Sequence, residues 1–177
     1  DPDLVRRADR VVVPGQGSMP ECAEAMRQSG VADALREAIA RGAPVLGICV
    51  GLQILFEEGE EAGGAEGLGI VPGRVTAFPV RLPGDDGRPL KIPHMGWNRI
   101  RVRIPHPLTA GIAPQDEFYF VHSYYPVPDE ADRVMATTDY GIRFASVLGW
   151  RNLAATQFHL EKSGRPGLRM LANFCTW

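Results

Sequence analysis

Long hydrophobic runs are missing from this 177-residue chain: no apolar stretch approaches the ~20 residues that a membrane span requires. No charged-then-apolar leader opens it. An excess of one charge is missing too. Nineteen Lys and Arg against 21 Asp and Glu give a net charge of -2, so there is no electrostatic case for nucleic acid. Cysteines number only three, Cys22, Cys49 and Cys175, widely spaced and without metal-ligand spacing. That count argues against a disulfide framework and a metal centre, and it predicts a reducing, cytoplasmic setting. Internal repeats and low-complexity tracts are absent, and the 15 prolines and 20 glycines are dispersed. What is there, 45% hydrophobic and 23% charged, is enough for one compact domain with a core of its own.

The most informative stretch runs from Pro44 to Phe56. Val45 to Ile48 reads as a buried strand, and Leu52, Leu55 and Phe56 follow at helical spacing. Between them lies Gly47-x-Cys49-x-Gly51. A strand that turns straight into a helix lifts the residue at the bend out of the sheet. Glycines two positions to either side remove side chains that would collide there. The pattern is a nucleophile elbow with cysteine in place of serine. On this reading the helix start stabilises the Cys49 thiolate, and the Val50 N–H points at an oxygen on the attacked carbon. The plainer reading is a small buried hydrophobe, as most free cysteines are.

Around this stretch the chain alternates. Asp1 to Arg7 suits a short helical turn, and Arg10 to Val13 a strand. The loop Pro14-Gly15-Gln16-Gly17 suits a phosphate cradle, an oxyanion hole or a plain turn; it lacks the Lys-Ser/Thr ending of a Walker loop. Helices are expected from Pro20 to about Gln28 and from Val31 to Arg41, the second burying Val31, Leu35, Ala38 and Ile39. Strand, helix, strand, helix argues for a parallel α/β sheet. Glu57 to Gly69 reads as a solvated loop, in which one acid could meet a substrate ammonium. The second half is mostly β. Strands are expected at 74–78, 99–104, 117–124, 133–138, 145–150 and 153–158, with a turn at Pro83–Gly87. A last helix spans about Pro166 to Phe174, with Leu168, Leu171 and Phe174 on one face.

A thiol nucleophile needs a base. His159 follows a strand and precedes the last helix, at the kind of strand end where α/β active sites gather. Glu161, two residues on, shares a face with it in extended backbone and can fix the imidazole tautomer. A surface His beside a surface Glu is the alternative. His94 and His122 sit in polar-aromatic segments that read as a surface built to meet something, and His106 between prolines reads as a loop residue.

Gly47-Ile48-Cys49-Val50-Gly51-Leu52-Gln53, Gln157-Phe158-His159-x-Glu161 and the Pro14–Gly17 loop together resemble the class I (triad) glutamine amidotransferases. Pro93-His94-Met95-Gly96-Trp97-Asn98, Tyr119-Phe120-Val121-His122-Ser123-Tyr124 and Glu161-Lys162-Ser163-Gly164 narrow the resemblance to the glutaminase subunits of imidazole glycerol phosphate synthase. The likeness covers nearly the whole chain. It implies an open three-layer α/β sandwich of flavodoxin-like type, with a mostly parallel central sheet and a smaller antiparallel β portion. It implies a Cys49-His159-Glu161 triad, with Gly17 and Val50 at the oxyanion and Gln53, Glu61, His122, Ser123 and Tyr124 on glutamine. Trp97, Asn98, Tyr119 and Lys162 fall on the face turned to a (β/α)8-barrel cyclase subunit. No cofactor is implied.

Two alternatives share some of these features. One is a glutaminase of the anthranilate or guanylate synthase type; the other is a flavodoxin-like module with an oxidisable Cys49. Three departures stand out. Leu160 replaces the family's proline between His159 and Glu161, which predicts a looser pair. Ser123 stands where threonine is frequent. The family also opens with a strand, a helix and a strand ahead of the first strand read here, so a fragment with an exposed sheet edge is expected.

Overall fold

The computed structural model of the chain describes residues 1–84 and 87–177. Asp85 and Asp86, at the centre of the expected Pro83–Gly87 turn, lie outside the described residues. Helices dominate the start: α1 (Pro2–Arg7), α2 (Met19–Gln28) and α3 (Val31–Ala40), with β1 (Val11–Val13) after α1 and β2 (Val45–Ile48) after α3. The Ser18 side chain accepts from the Glu21 N–H at 3.4 Å and so starts α2. Gly30, at φ 72°, makes the break between α2 and α3. Ala32, Ala34, Leu35 and Ala38 are the buried residues of α3, while Val31 and Ile39 are only half-buried.

The β-rich remainder begins with the single turn α4 (Val50–Gln53), then β3 (Phe56–Gly59), β4 (Ala65–Glu66) and β5 (Val71–Ala77). β6 (His94–Arg99), β7 (Arg101–Val102), β8 (Glu117–His122) and β9 (Tyr124–Pro128) follow. The chain closes with β10 (Val134–Tyr140), β11 (Ile142–Trp150), β12 (Leu153–Thr156) and α5 (Gly164–Thr176).

The main sheet has six strands in the order β1-β2-β12-β11-β10-β7. Both β2 and β12 are buried at every position, which is why each reads as an unbroken run of apolar and small residues. They run parallel, Val45 beside Leu153 and Ile48 beside Thr156, so both carboxyl ends emerge at the same edge. β1 also runs parallel to β2, whereas β10, β11 and β12 are antiparallel neighbours and β7 pairs antiparallel to β10. The sheet is therefore mixed rather than mostly parallel. Tight turns at Gly141 (φ 68°) and Arg151 (φ 53°) join β10 to β11 and β11 to β12, a connection that only antiparallel strands permit. β1 lies at the edge, with Val12 46% exposed.

A second sheet, β4-β3-β5-β9, and a ribbon of β6 and β8 complete the fold. Several boundaries differ from those expected. α4 stops at Gln53 because the Ile54 and Leu55 carbonyls accept from Leu68, Ile70 and Val71 at 2.7–2.9 Å instead of from a further helical turn. Leu52, Leu55 and Phe56 are all fully buried even so. The Glu-Gly stretch is ordered by its acids: Glu57 accepts from Gly73 N–H at 3.0 Å and Glu60 from Ala77 N–H at 2.8 Å. The expected strand at 99–104 is instead β6 and β7, with Ile100 between them. In α5 the inward residues are Gly167, Met170 and Phe174, while Leu168 is 63% exposed.

Candidate active site

Cys49 sits where β2 ends and α4 begins, with φ 54° and ψ -112°. A non-glycine residue held there costs about 1–3 kcal/mol, which the surrounding bonds must offset. Its N–H donates to Thr156 C=O at 2.8 Å, and its own carbonyl accepts from Leu52 and Gln53 at 2.9 and 3.2 Å. The flanking glycines allow the backbones to meet: a Cβ at Gly47 would lie 2.7 Å from the Gly51 carbonyl oxygen, and one at Gly51 would strike the Val13 carbonyl. A Cβ at Gly15 would likewise strike the Gly51 amide, so the Pro14–Gly17 loop packs directly on the elbow.

With α4 a single turn, little dipole is available to favour a thiolate. Burial pushes the Cys49 thiol up to about 11, opposed by the Val50 N–H; Glu161 adds to the rise, while Lys162 and the Gln157 amide pull downward. The resting group is a thiol and needs a base. Besides the Val50 N–H, the Val121 carbonyl lies 4.0 Å from Sγ and accepts from it, and the Gln157 amide nitrogen donates to it at 3.9 Å.

His159 lies three residues beyond β12, on the strand end beside the one that carries Cys49. It is 3% exposed. Its Nδ1 meets Glu161 Oε1 at 2.6 Å. An ionised carboxylate only accepts, so Nδ1 carries the proton and Nε2 is the basic nitrogen. The pair is not loosened by Leu160. That side chain is fully buried, the His159 N–H donates to Tyr119 C=O at 2.9 Å, and the Ser163 hydroxyl donates to the His159 carbonyl. Packing and hydrogen bonds pin the turn where a proline ring would otherwise stiffen it.

Gly17, Cys49, Val50, Gln53, Glu61, His122, Ser123 and Tyr124 all line one cavity of about 200 Å³, together with Pro93 and Val121. The sequence thus named eight of its walls. Glu61 is fixed by the Met19 N–H, which donates to Oε2 at 2.7 Å, so it is more than a solvated acid. Gln53 Nε2 donates to Tyr124 C=O at 3.1 Å and to Gln157 Oε1 at 3.2 Å. Gln157 received no role from sequence reasoning, although it stands two residues before His159, directly after β12.

His94 and His122 are not surface residues. They are 2% and 6% exposed, because the inward positions of the β6–β8 ribbon point them into an aromatic cluster with Phe78, Phe120 and Phe144. Burial lowers His94 to about 4 and His122 to about 3. His106 caps the turn at Pro107–Thr109 by accepting from Leu108 N–H at 3.1 Å. Of the residues expected on the partner face, Trp97 and its register partner Tyr119 lie on the outward side of the ribbon, Asn98 shares the inward side with His94, and Lys162 lies outside the ribbon in the turn after β12. Trp97 is 55% exposed and packs edge-on to Tyr119 at 5.9 Å, Asn98 and Tyr119 are half-buried, and Lys162 is exposed. A larger groove of about 630 Å³, lined by Asn98, Arg101, Ile112 and Asp139 among others, has no cysteine, serine, threonine or histidine in its lining.

No group of three or more His, Cys, Asp or Glu among the described residues could hold a metal ion. No helix among them is long and apolar enough to cross a membrane.

The family model described as glutamine amidotransferase class-I matches residues 5–176. The imidazole glycerol phosphate synthase subunit HisH of Aromatoleum aromaticum is 49% identical over 178 residues, covering 100% of this chain and 83% of that protein. The HisH subunit of Methylococcus capsulatus is also 49% identical over 178 residues, with 100% and 82% covered. Among solved structures, a glutamine amidotransferase superposes with a TM-score of 0.65 at 19% identity, covering 99% of this chain and 84% of that one. The glutaminase domain of Trypanosoma brucei CTPS with bound acivicin gives 0.64 at 15% identity, with 99% and 74% covered. These two likenesses bear on the fold alone.

Proposed function

The chain belongs to the class-I glutamine amidotransferases, within the HisH subunits of imidazole glycerol phosphate synthase, and on that premise we propose how its cavity carries out the glutaminase reaction of histidine biosynthesis. Cys49 is the nucleophile. His159 Nε2 takes the thiol proton as Sγ swings away from the Val121 carbonyl and attacks the side-chain amide carbon of glutamine. The oxyanion that forms is met by the Val50 N–H and the Gly17 region of the loop. His159 then returns the proton to the leaving nitrogen, the C–N bond breaks, and ammonia departs from a γ-glutamyl thioester. Water, deprotonated by the same imidazole, cleaves the thioester to glutamate. Glu161 holds the tautomer and stabilises the imidazolium. Gln53, Glu61, His122, Ser123 and Tyr124 form the walls that hold glutamine.

Ammonia passes to the cyclase subunit, a (β/α)8 barrel that docks on the face of Trp97, Asn98, Tyr119 and Lys162. That subunit uses it to make imidazole glycerol phosphate and the aminoimidazole carboxamide ribotide. The observation that carries the reading is a strained Cys49 at one wall of a cavity, with the 2.6 Å His159–Glu161 pair on the adjoining parallel strand end. A thiol held near 11 by burial does not suit an oxidisable sensor, which relies on a low thiol pKa. The test is Cys49→Ala in the full chain. Ammonia release from glutamine should fall by ~10⁴-fold or more while the synthase complex still assembles; undiminished release would overturn the assignment.

A further inference from the structure

A hydrogen-bonded line runs from the half-buried Asn98 near the end of β6 to the amides beside Cys49, and none of its first three members belongs to the triad. Asn98 Nδ2 meets His94 Nε2 at 3.3 Å, His94 Nδ1 meets His122 Nε2 at 3.0 Å, and His122 Nδ1 meets Tyr124 O at 2.8 Å. The same Tyr124 carbonyl accepts from Gln53 Nε2 at 3.1 Å; Gln53 bonds Gln157 at 3.2 Å, and Gln157 reaches Cys49 Sγ at 3.9 Å.

The direction of this line is fixed from both ends. At the inner end a carbonyl can only accept, so His122 Nδ1 carries a proton, and in the neutral ring Nε2 is an acceptor. His94 Nδ1 must then be the donor to it, leaving His94 Nε2 bare. At the outer end, Asn98 Oδ1 accepts from Arg99 N–H at 2.8 Å, which orients the amide. Its NH₂ group therefore faces His94 Nε2 and the Asp139 carbonyl, the latter at 3.0 Å. The outer end thus also requires a bare His94 Nε2. Two independent constraints select one tautomer for each ring, and every donor in the line has an acceptor.

We propose that Asn98, His94 and His122 act as positioning residues: a one-way hydrogen-bond relay that sets the Tyr124 carbonyl and, through it, the Gln53–Gln157 amide pair against Cys49. Packing alone does not demand this arrangement. His94 is stacked between Phe120 (4.7 Å) and Tyr140 (3.9 Å), a slot that a phenyl ring would fill as well as an imidazole. A ring with two nitrogens in that slot is explained by the two bonds it makes in opposite directions. The catalytic consequence rests on Cys49 being the nucleophile; the tautomers do not, so the two claims can fail separately.

Nitrogen-15 NMR of the imidazoles in the full chain at pH 7 tests the relay directly. His94 and His122 should both be neutral with the proton on Nδ1. His106, which accepts the Leu108 N–H at Nδ1, should show the proton on Nε2 and serves as the internal reference. Finding either His94 or His122 charged, or with its proton on Nε2, would overturn the relay. Kinetics of the synthase complex supply the second arm. His94→Gln keeps an acceptor and a donor but loses the stack, and should retain kcat/KM for glutamine within about threefold. His94→Phe keeps the stack but breaks both bonds, and should lose about tenfold or more, in line with the cost of removing groups that orient a reacting set. The reverse order, or two variants that both match the wild type, would overturn the positioning role.

Discussion

At the scale of single residues, Cys49 and His159 divide the work because their surroundings differ. Burial holds the thiol up to about 11, so near neutral pH almost none of it is ionised without a base. The sign is set by desolvation: a buried acid resists charging, and the thiolate population rises only as pH climbs toward that value. Alkylation of Cys49 by iodoacetamide in the free enzyme should therefore increase about tenfold per pH unit between 7 and 9, with a midpoint above the ~8.5 of a free thiol. A rate already level at pH 7 would contradict it. Leu160 carries a second lesson. Its position between His159 and Glu161 was plain from the sequence, but its burial was not, since that depends on how the turn Leu160–Lys162 packs against β8 and α5.

At the scale of elements, the elbow was legible because glycine at fixed offsets has a steric meaning that does not depend on distant residues. Gly51 has room only because its side chain is a hydrogen; a methyl group would meet the Val13 carbonyl of β1. Gly51→Ala should push the Pro14–Gly17 loop off α4. Glutamine hydrolysis should then drop by ~10²-fold, through misplacement of the oxyanion donors, with a stability loss of about 1–3 kcal/mol. Full activity in that variant, measured as ammonia release with melting temperature as the control, would show that the close approach is dispensable. Less was legible in the Glu-Gly stretch and in the Pro93–Asn98 segment. Glu57, Glu60 and Glu61 look like solvent-facing charges by composition, yet each accepts a backbone N–H from another element. The alternation in β6 is hard to see because glycine, asparagine and histidine occupy positions where apolar residues usually mark the inward face.

At the scale of the whole molecule, the mixed sheet was only half visible. The helical first third announces parallel strands, while the reversal at β10–β12 depends on two turns whose positive φ falls at Gly141 and, unexpectedly, at Arg151. The chain covers 82–84% of the length of the HisH relatives it matches, and within it β1 forms one edge of the main sheet. The buried His94–His122 pair gives the fold a pH signature. An unfolded imidazole titrates near 6.5, whereas burial lowers these rings to about 4 and about 3. Below pH 6.5 the unfolded chain binds more protons than the native one. The stability present above that pH is accordingly lost as pH falls toward 4 and then 3, by up to about 1.4 kcal/mol per pH unit per ring. Urea unfolding at pH 6 and pH 5 should show this slope, and His94→Phe should remove about one ring's share of it. Identical slopes in the two proteins would contradict the linkage.

The account as a whole turns on which sulfur meets glutamine, and the chain carries three free cysteines: one buried, one half-buried and one exposed. The most direct measurement is mass spectrometry of the synthase complex after reaction with a chloroketone analogue of glutamine, with glutaminase activity followed in parallel. The account predicts one adduct per chain, on the buried Cys49, formed in step with the loss of activity and slowed by added glutamine. Loss of activity with Cys49 unmodified, or with the label on Cys22 or Cys175, would contradict it.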